Sequence, residues 1–533
     1  MGERRKEILQ NNNLLQHSLL LQTSGISSKL NQSLGKRTIT KQNGITLIAL
    51  IVTIVVLLIL AGITISLVFS DNGIIKKAQE AAEKTNQAVS NEQAELNELY
   101  GYLENTLNGI SGGSTPEEPT LPSDGTYSEL KGVNTPNLGE GMTPIKWNGS
   151  SWEEATGDDT EWYDYSAKKW ANAKVEVDGV ESYFVWIPRY AYKITSGYHQ
   201  SGAEINSTTP EEGAGTIEIE FMKEKSNEGA TGQTIVEYNT ETTKNYTQFP
   251  NGYVIHPAFN YGEEVSGLWV AKFEASPVGA TTDVTNSEYD GTDKKLQVVP
   301  GVSSWRSITI SNAYDVCRTY NQGLNSHLMK NDEWGAVAYL SKSKYGKETE
   351  EVWINNSSSY ITGSAGNSAS AATDTGTTND YTSAQGVEAS TTGNVYGVYD
   401  MSGGSWEYVA AYLDNGNTNL TTYGNSLYTS TGTKTKNVYI VGSEDTKLVN
   451  YNANASKYGD AIYEISNATY NDSVIESNQS WYNDWSEFLY SNWTFFNRGG
   501  GYSYTSSAGV FFFEFNDGNA YNARSFRPVL VVL

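Results

Sequence analysis

A long uncharged segment near the N-terminus constrains this chain more than any other feature. Residues 45–69, ITLIALIVTIVVLLILAGITISLVF, contain no charged side chain. As a helix rising ~1.5 Å per residue, the segment would be about 37 Å long, enough to cross a hydrocarbon core of about 30 Å. It is too long for a secretory signal peptide, and no small-residue cleavage site follows it. The sequence therefore predicts a single transmembrane helix rather than a buried helix of a soluble protein.

The charges on the two sides of this segment predict its orientation. The basic residues Lys36, Arg37 and Lys41 precede it, and an aspartate follows it. Because basic flanks stay on the cytoplasmic side, the long C-terminal part of the chain is expected outside the membrane. The whole chain has a formal net charge of −25 although residues 1–44 are basic, so the C-terminal part is strongly acidic. Such a surface repels a phosphate backbone, which argues against a nucleic-acid partner.

The junction KQNG-ITLIAL, residues 41–50, resembles the processing site of type IV prepilins. In that family a basic leader ends in glycine, and the next residue starts the hydrophobic helix. The resemblance implies that residues 1–44 are a leader that a prepilin peptidase removes after Gly44, leaving Ile45 as the methylated N-terminus. Pilins usually have glutamate at the fifth mature position, where this chain has Ala49. This difference favours a membrane anchor over a filament subunit.

A second helical pattern covers residues 70–110. Small and aliphatic side chains recur there at steps of three and four, with glutamate and lysine between them, which is typical of an amphipathic helix. This helix either continues the transmembrane helix after a turn at Asp71-Asn72-Gly73 or forms a separate coiled-coil stalk. Residues 111–124, SGGSTPEEPTLPSD, are rich in glycine, proline and acid, and are predicted to be an exposed linker.

After the linker, the helical pattern gives way to short aromatic runs separated by turn residues. The chain contains 36 Tyr, 13 Trp and 50 Gly, and this composition favours short strands and long ordered loops. Two helices are predicted, over SNAYDVCRTYNQG from residue 311 and over NDEWGAVAYLSKSKYG, where Asn331 or Asp332 can cap the start. Residues 200–250 and 361–390 are polar and are predicted to be loops. The expected fold class is α+β.

Five segments of this C-terminal part, taken in order, resemble the formylglycine-generating-enzyme branch of the C-type lectin fold. They are GLWVAKFEAS at 267, LMKNDEWGAVAYL at 328, NVYGVYDMSGGSWEYV at 394, NRGGGYSY at 497 and SFRPVL at 525. The resemblance implies that residues 125–533 form a C-type lectin-like domain of short strands, two helices and long loops.

The last three of these segments contain residues that suit a structural frame. Asp400 and Glu407 can hold tight turns or pair with arginines later in the chain, and Trp406 is large enough to anchor a loop. Glycines allow the close turns that such a loop needs. The predicted frame consists of Asp400, Trp406, Glu407, Arg498, Gly499, Gly500 and Arg527. The last strand, FRPVLVVL, is expected to pair centrally, with YFVWIPRYAYKI at 183 as one candidate partner.

The residues that catalyse reactions in this family are missing. Formylglycine-generating enzymes use two cysteines late in the chain, whereas this chain has only Cys317, whose place in a predicted helix is typical of a core residue. Iron-dependent relatives use a His-x3-His-x-Glu cluster, which the four histidines do not form. His256 stands alone and is predicted to be structural. We expect no catalytic residue, metal ligand or cofactor; calcium suits this fold, but no loop has the spacing of calcium ligands.

The C-terminal end, residues 493–527, resembles the variable region of another branch of the C-type lectin fold, the variable proteins of diversity-generating retroelements. In those proteins adenine-directed mutagenesis rewrites surface side chains while the fold is kept. Here residue types that such mutagenesis can reach alternate with a glycine and arginine frame. Aromatic and arginine side chains among small polar ones are typical of binding surfaces. The predicted ligand-binding residues are Tyr502, Tyr504, Phe512, Glu514, Asn516, Asp517, Tyr521, Asn522 and Arg524.

Together these patterns predict a surface-displayed, ligand-binding protein anchored by one helix in a bacterial cell membrane. Its expected partners are the membrane, prepilin peptidase, an extracellular protein or glycan and, if filaments form, pilin-like subunits. Diversification of residues 493–527 is a further hypothesis, and its alternative is an ordinary edge hairpin with exposed Asn and Tyr. A pilus-like or pseudopilin structural subunit with a fixed lectin-like domain is a second reading of the whole chain. An enzyme of the formylglycine-generating type that uses other residues is the third.

Overall fold

The computed structural model describes residues 123–155, 161–196, 215–235, 252–374, 378–442, 454, 457–466 and 478–533. All of them belong to one compact unit, residues 117–533. The predicted leader, transmembrane helix and amphipathic helix (1–44, 45–69 and 70–110), the processing site at Gly44 and Ile45, and nearly all of the linker lie outside the described residues. Among the residues that are described, no helix is long and apolar enough to cross a membrane.

Within these ranges the fold consists mostly of strands with a few helices, which confirms the α+β class predicted from the sequence. The helices are α1 (Ile310–Tyr320), α2 (Asn331–Ser341), α3 (Asn419–Thr422) and α4 (Asn425–Thr429). The strands are β1 (Tyr127–Ser128), β2 (Val133–Asn134), β3 (Met142–Trp147), β4 (Trp152–Glu154), β5 (Asn172–Val177), β6 (Val180–Pro188), β7 (Tyr190–Ser196), β8 (Thr216–Phe221), β9 (Val254–Ile255), β10 (Gly267–Ala271), β11 (Ser276–Pro277), β12 (Leu296–Gln297), β13 (His327–Leu328), β14 (Trp406–Asp414), β15 (Asn437–Ile440), β16 (Asn478–Gln479), β17 (Trp485–Ser486), β18 (Phe495–Gly499), β19 (Gly509–Asn516), β20 (Arg524–Phe526) and β21 (Pro528–Leu530).

The first sheet has the strand order β13-β21-β10-β6-β5-β3-β4, and all of its pairings are antiparallel. Trp269 of β10 lies opposite Trp186 of β6 on one side and Leu530 of β21 on the other. The last strand therefore pairs inside the sheet, as expected, but with β10 and β13 rather than with YFVWIPRYAYKI. That run is divided at the buried Arg189 into β6 and β7, which belong to different sheets.

The second sheet has the order β15-β14-β18-β19-β17-β16, and β20 pairs with the first part of β14. The β14-β18 and β18-β19 pairings are antiparallel, whereas β15 and β20 run parallel to β14. Seven of the nine residues of β14 are buried, because neighbouring strands and α2 cover it. The β18-β19 hairpin and β20 contain most of the predicted ligand-binding residues.

A third sheet, β8-β7-β9, corrects part of the loop prediction. Strand β8 lies within residues 200–250, which were expected to be a loop. Its sequence TIEIEF alternates apolar and acidic residues, and Ile217, Ile219 and Phe221 are buried. This alternation is typical of a half-buried strand, but it extends over only a few residues. Over 361–390 the described residues contain no strand or α-helix, only a 3-10 turn at Gly386–Ala389.

Both predicted helices exist, but the predicted cap of the second is wrong. Thr309 caps α1, where its side-chain oxygen accepts a hydrogen bond from Asn312 N. Helix α2 begins at Asn331, and it is Glu333 whose carboxylate reaches back to accept from Lys330 N at 2.8 Å. The side chains of Asn331 and Asp332 are used elsewhere, bonded to Tyr439 and Asn437 of strand β15. Every residue of α2 is buried, so tertiary contacts add to the cap by Glu333 in holding its first turn.

A buried ion pair joins the first two sheets. The chain passes from β20 in the second sheet to β21 in the first at Arg527, whose guanidinium donates two hydrogen bonds to the carboxylate of Glu407 on β14. The same guanidinium donates to the carbonyls of Ala271 and Tyr399 at 3.2 and 3.1 Å. Both charged side chains are about 1 % exposed. This confirms the predicted pairing of Glu407 with an arginine.

The predicted loop around Asp400 is also a structural element. Asp400 lies at φ +60° and accepts hydrogen bonds from Asn355 Nδ2 and from the backbone N–H groups of Gly363 and Glu274. Gly404 lies at φ +70°, and a Cβ there would come within 2.6 Å of a Glu274 carboxylate oxygen. Only glycine fits that position. The loop around Asp400 is therefore held against the backbone of Glu274, which follows β10.

Arg498 does not pair with the predicted carboxylates. Its backbone lies opposite Glu407 in the β14-β18 ladder, but its buried side chain points away and donates to Ala461 O at 3.1 Å. Burial lowers the pKa of Arg498 to about 10. The guanidinium packs 5.5 Å from the ring of Trp334 in α2, which also faces Arg527 at 5.6 Å.

We predict that Arg527→Met destabilises the domain strongly. It would leave the carboxylates of Glu407, Asp400 and Glu274 buried without their common cation, a change that typically costs about 3–5 kcal/mol. Denaturant unfolding of the full-length chain measures the loss. Lys295→Met is the matched control, since it breaks an ion pair with Asp178 in which both side chains are largely exposed, and should cost no more than about 1 kcal/mol. Equal stability of the two variants would contradict the prediction.

Candidate functional site

The loop between β18 and β19, residues 500–508, presents two of the predicted ligand-binding tyrosines. Tyr502 N donates to Gly404 O at 2.8 Å, and Tyr504 N donates to Gly501 O at 2.9 Å. The loop leaves β18 at Gly500, where φ is +75° and a Cβ would lie 2.9 Å from the Cα of Ala508. Gly500, a glycine of the predicted frame, is therefore required for this turn. Backbone hydrogen bonds hold the main chain of both tyrosines in place.

Five partly exposed aromatic rings lie close together around this loop, and we name them the aromatic surface. Three belong to the predicted ligand-binding residues, and two come from earlier parts of the chain. Half of the surface of Tyr521 is exposed, whereas the other four rings are partly buried. Aromatic rings give a large contact area with few rotatable bonds, which suits recognition. The aromatic surface consists of Tyr360, Trp406, Tyr502, Tyr504 and Tyr521.

Trp406 belongs to this surface rather than to the interior. The sequence placed it in the structural frame as a large apolar anchor. Its ring instead packs edge-on against Tyr504, with centroids 5.1 Å apart, and lies so close to Gly501 that a Cβ there would come within 2.6 Å. The indole N–H has no hydrogen-bond partner among the residues that the structure describes. This nitrogen is itself buried, so Trp406 contributes part of its ring to the surface and not its N–H group.

Tyr360 is a residue of the surface that the sequence did not indicate. It stands at φ +54° at the start of the 361–390 loop, and its ring meets Tyr502 edge-on with centroids 5.0 Å apart. Burial, with the neighbouring Tyr502, raises the pKa of the Tyr360 hydroxyl. No local pattern marks this residue, because it reaches the surface only through tertiary packing.

Arg306 packs against the ring of Tyr360, and the sequence did not indicate this residue either. Its guanidinium lies 4.2 Å from the Tyr360 ring centroid and is itself buried. It donates to Val284 O at 2.7 Å, forms an ion pair with Glu288 at 3.2 Å, and donates to the backbone carbonyl of Asn522. One buried cation therefore ties the Tyr360 loop to the C-terminal loop that carries Tyr521.

A second cation lies at the other end of the surface. The guanidinium of Arg524 stands 4.8 Å from the ring of Tyr521 and donates to Asn519 Oδ1 at 2.7 Å. It is also 3.8 Å from the carboxylate of Asp517. Asn522 next to it is exposed. These four predicted residues are thus brought together, and a ligand would meet an aromatic ring bordered by a cation, an amide and a carboxylate.

Glu514 adds a titratable group beside this cation. Its side chain is largely buried on β19 and accepts from Asn497 Nδ2 at 3.3 Å. Burial raises the pKa of Glu514 to about 7, while the nearby Arg524 acts in the opposite direction and Glu487 adds to the rise. The protonation state of this carboxyl therefore changes near neutral pH, where it can act either as a donor or as an acceptor.

Two of the predicted ligand-binding residues are not at the surface. Phe512 and Asn516 are buried, although both are residue types that adenine-directed mutagenesis can reach, on which the prediction rested. The ring of Tyr504 covers Phe512, with centroids 5.6 Å apart. Asn516 Oδ1 accepts from Tyr408 OH at 3.1 Å and from Gly518 N at 2.7 Å. Loops that cover this face of the strand thus turn both residues into structural ones.

His256 and Cys317, which the sequence predicts to be structural residues, are both buried. His256 is enclosed by aromatic rings, burial lowers its pKa to about 3, and its Nδ1 accepts from Ala258 N. Cys317 is buried in α1, and burial raises its pKa. Among the described residues, no three or more His, Cys, Asp or Glu side chains are grouped so that they could hold a metal ion.

No model of a known protein family matches the chain. Curated proteins likewise include no sequence with significant similarity to it.

We predict that Arg306→Met loosens the aromatic surface locally. It removes the contacts that hold Tyr360 and the carbonyl of Asn522, and leaves Glu288 without its partner. Amide hydrogen exchange should become faster over 517–524 and 357–362 but not in β7 and β8. The free energy of unfolding should fall by about 2–4 kcal/mol.

Arg318→Met serves as the control for this experiment. Arg318 is more than half exposed and pairs with Asp315 within one helix, so its loss should change neither exchange pattern. Unchanged exchange at residues 517–524 in Arg306→Met would mean that Arg306 does not hold the loop.

Proposed function

We propose that this protein is a membrane-anchored, surface-displayed binding protein whose C-terminal, C-type lectin-like domain recognises an extracellular protein or glycan through the aromatic surface. The anchor is the uncharged helix predicted over residues 45–69, processed after Gly44 by a prepilin peptidase. The ligand meets the five rings, with Arg524, Asn522 and Glu514 at their border. The chain acts as a binder and not as a catalyst.

One observation carries this proposal: five partly exposed aromatic rings are held in place by buried residues and by backbone hydrogen bonds. Tyr502 is fixed through Gly404 O, Tyr360 through Arg306, and the Tyr521 loop through Ser307 N, which donates to Tyr521 O at 3.0 Å. Rigid aromatic residues bind with little loss of conformational entropy, which is why they dominate binding hot spots. A surface built only for solubility would carry charged residues at these positions.

The location of exposed residues also supports diversification by a retroelement. Tyr502, Tyr504, Tyr521 and Asn522 lie on loops whose backbone bonds do not depend on the side chain, so many residue types would fit. Phe512 and Asn516 do not share this freedom, because both are buried. Diversification therefore requires a narrower set of variable positions than the sequence alone suggested.

A pilus-like structural subunit is the second candidate, and the prepilin-like junction KQNG-ITLIAL favours it. Ala49 in place of the usual glutamate weighs against filament assembly. Presence of the chain in sheared fibres would favour the subunit, and retention in the membrane fraction would favour the anchored binder.

We expect the double variant Tyr502→Ala, Tyr521→Ala to lose binding. The full-length chain displayed on cells is probed with an array of glycans and a set of purified extracellular proteins. For any probe that binds, affinity should fall at least about tenfold, because aromatic hot spots typically contribute 2 kcal/mol or more. Tyr253→Ala is the matched control, since Tyr253 is a partly exposed tyrosine bonded to Glu218 in the third sheet. A probe that binds native chain and double variant equally would refute the role of the surface.

Comparison of the 3′ end of this gene across sibling isolates tests diversification. Differences should concentrate between residues 493 and 525, at the exposed Tyr502, Tyr504 and Tyr521, while Phe512 and Asn516 stay constant. A near-copy of this segment that differs at adenines, beside a reverse transcriptase gene, should lie nearby. If the segment varies no more than the rest of the gene, diversification is wrong and a fixed binding surface remains.

A further inference from the structure

A second group of aromatic rings lies at the opposite end of the β18-β19 hairpin from the loop at residues 500–508. Phe515 of β19 packs edge-on against Tyr490, with ring centroids 5.0 Å apart and 87° between the rings. It also packs against Trp493, at 5.3 Å and 42°. All three rings are partly exposed, and Tyr490 and Trp493 lie outside the hydrophobic core. We name Tyr490, Trp493 and Phe515 the aromatic corner.

A tight turn places two of these rings on the same side of the chain. Tyr490 and Trp493 exchange two backbone hydrogen bonds, of 3.1 and 2.8 Å, across the turn, and the side chains of such an opposed pair project to the same face. Because both rings also contact Phe515, a point midway between them lies within roughly 6 Å of all three ring centroids, the range over which a ring attracts a cation. One small ligand group can therefore meet all three rings.

Contacts from another loop hold this turn in place. Ser491 at its tip stands at φ +50°, a conformation that is unfavourable for a residue with a side chain unless its surroundings stabilise it. Asn415 Nδ2 donates to Ser491 O at 2.7 Å, and Asn419 Nδ2 donates to Asn492 O at 2.8 Å. The turn is thus fixed before a ligand arrives, which lowers the entropic cost of binding.

The charges around the aromatic corner favour a cationic ligand. The charged residues within three positions of the three rings along the chain are Glu487, Glu514 and Asp517, and all of them are acidic. Elsewhere the domain places its own cations over tyrosine rings, as where Lys193 stands 5.8 Å from the ring centroid of Tyr253. Over the rings of the corner, no lysine or arginine of the described residues stands. The negative ring faces are therefore open to a cation from outside.

A cation without N–H groups fits this corner better than a primary ammonium does. A primary ammonium must satisfy three donors, and among the three rings only the Tyr490 hydroxyl can accept a hydrogen bond. An N–H group that loses water without gaining an acceptor costs free energy. A quaternary ammonium has no such donor, and its methyl groups pack against aromatic faces. The Tyr490 hydroxyl and the Trp493 indole N–H, which bond no described residue, stay available for an oxygen atom of the same ligand.

We propose that the aromatic corner binds a small quaternary ammonium compound of the choline class, with its methyl groups against the rings of Tyr490, Trp493 and Phe515. The aromatic surface is a poorer site for such a cation, because the guanidinium groups of Arg306 and Arg524 already lie beside two of its rings. The aromatic corner is thus a separate site, and it does not depend on the function proposed for the aromatic surface.

The test is a calorimetric titration of the full-length chain, held in a detergent that lacks a choline headgroup. Choline should bind with saturation at one site and with a dissociation constant below about 10 mM. Dimethylbutanol, in which a carbon atom replaces the nitrogen of choline, has nearly the same shape and no charge. It should bind at least about tenfold more weakly, since it loses the attraction of a cation to the rings. Ethanolamine, a primary ammonium, should also bind more weakly than choline.

Variants then locate the site. Trp493→Leu and Tyr490→Leu each keep an apolar side chain but remove one ring, and each should weaken choline binding at least about fivefold. Tyr253→Leu is the matched control, because Tyr253 is a partly exposed tyrosine whose ring already has a lysine over it; it should leave the affinity unchanged. Thermal unfolding checks that each variant is folded, and should one of them not fold, the other decides alone.

Four results would overturn the proposal. One is that choline does not bind below about 10 mM, a range in which weak specific contacts still register. The second is that dimethylbutanol binds as tightly as choline, which would indicate an apolar site. The third is that the folded Leu variants bind choline as tightly as the native chain. The fourth is binding to phosphatidylcholine vesicles without binding to free choline, which would indicate a lipid surface. None of these results bears on the aromatic surface, since the two sites share no residue.

Discussion

The bidentate ion pair of Arg527 and Glu407 is the contact on which the rest of the domain depends, because it lies where the chain crosses between two sheets. One guanidinium bonds a carboxylate of the second sheet and a backbone carbonyl of the first. Burying such a pair contributes little net stability, since desolvation offsets the attraction. Its value is directional: Arg527 donates both hydrogen bonds that the Glu407 carboxylate receives from side chains of the described residues, which favours one arrangement of the two sheets.

That arrangement determines where the exposed rings stand. Asp400 follows Tyr399, whose carbonyl also bonds Arg527, and it gathers the backbone of the neighbouring loop. Four residues later, the carbonyl of Gly404 receives the N–H of Tyr502. A short chain of fixed contacts therefore connects the buried cation to the aromatic surface. A ligand would meet rings that need little reorganisation, which lowers the entropic cost of binding.

The sequence could predict the parts of this design that are local or that carry a strong pattern. Sequence patterns predicted the two helices and the strand at 267. The order of acidic and basic residues in the motifs predicted that Glu407 could pair with an arginine. The burial of Phe512 and the roles of Tyr360 and Arg306 depend on loops that come together from distant parts of the chain. The local pattern of apolar and polar residues therefore does not predict them. Arg498 shows the same limit, because its guanidinium bonds the carbonyl of Ala461, from a distant loop, and not the carboxylate opposite it in the ladder.

Stability and recognition are largely separated in this domain. Strand and loop backbones hold Tyr502 and Tyr504 of the aromatic surface, and the Trp406 ring lies against Gly501, which has no side chain. Replacing Tyr502 or Tyr521 leaves the hydrogen bonds of their backbones in place, so the expected change in folding free energy is that of a partly exposed residue, about 0.5 kcal/mol where no special contact is lost. Replacing a buried residue such as Arg527 or Glu407 would instead remove contacts that hold the fold. A fold with this division can present many surfaces without being rebuilt.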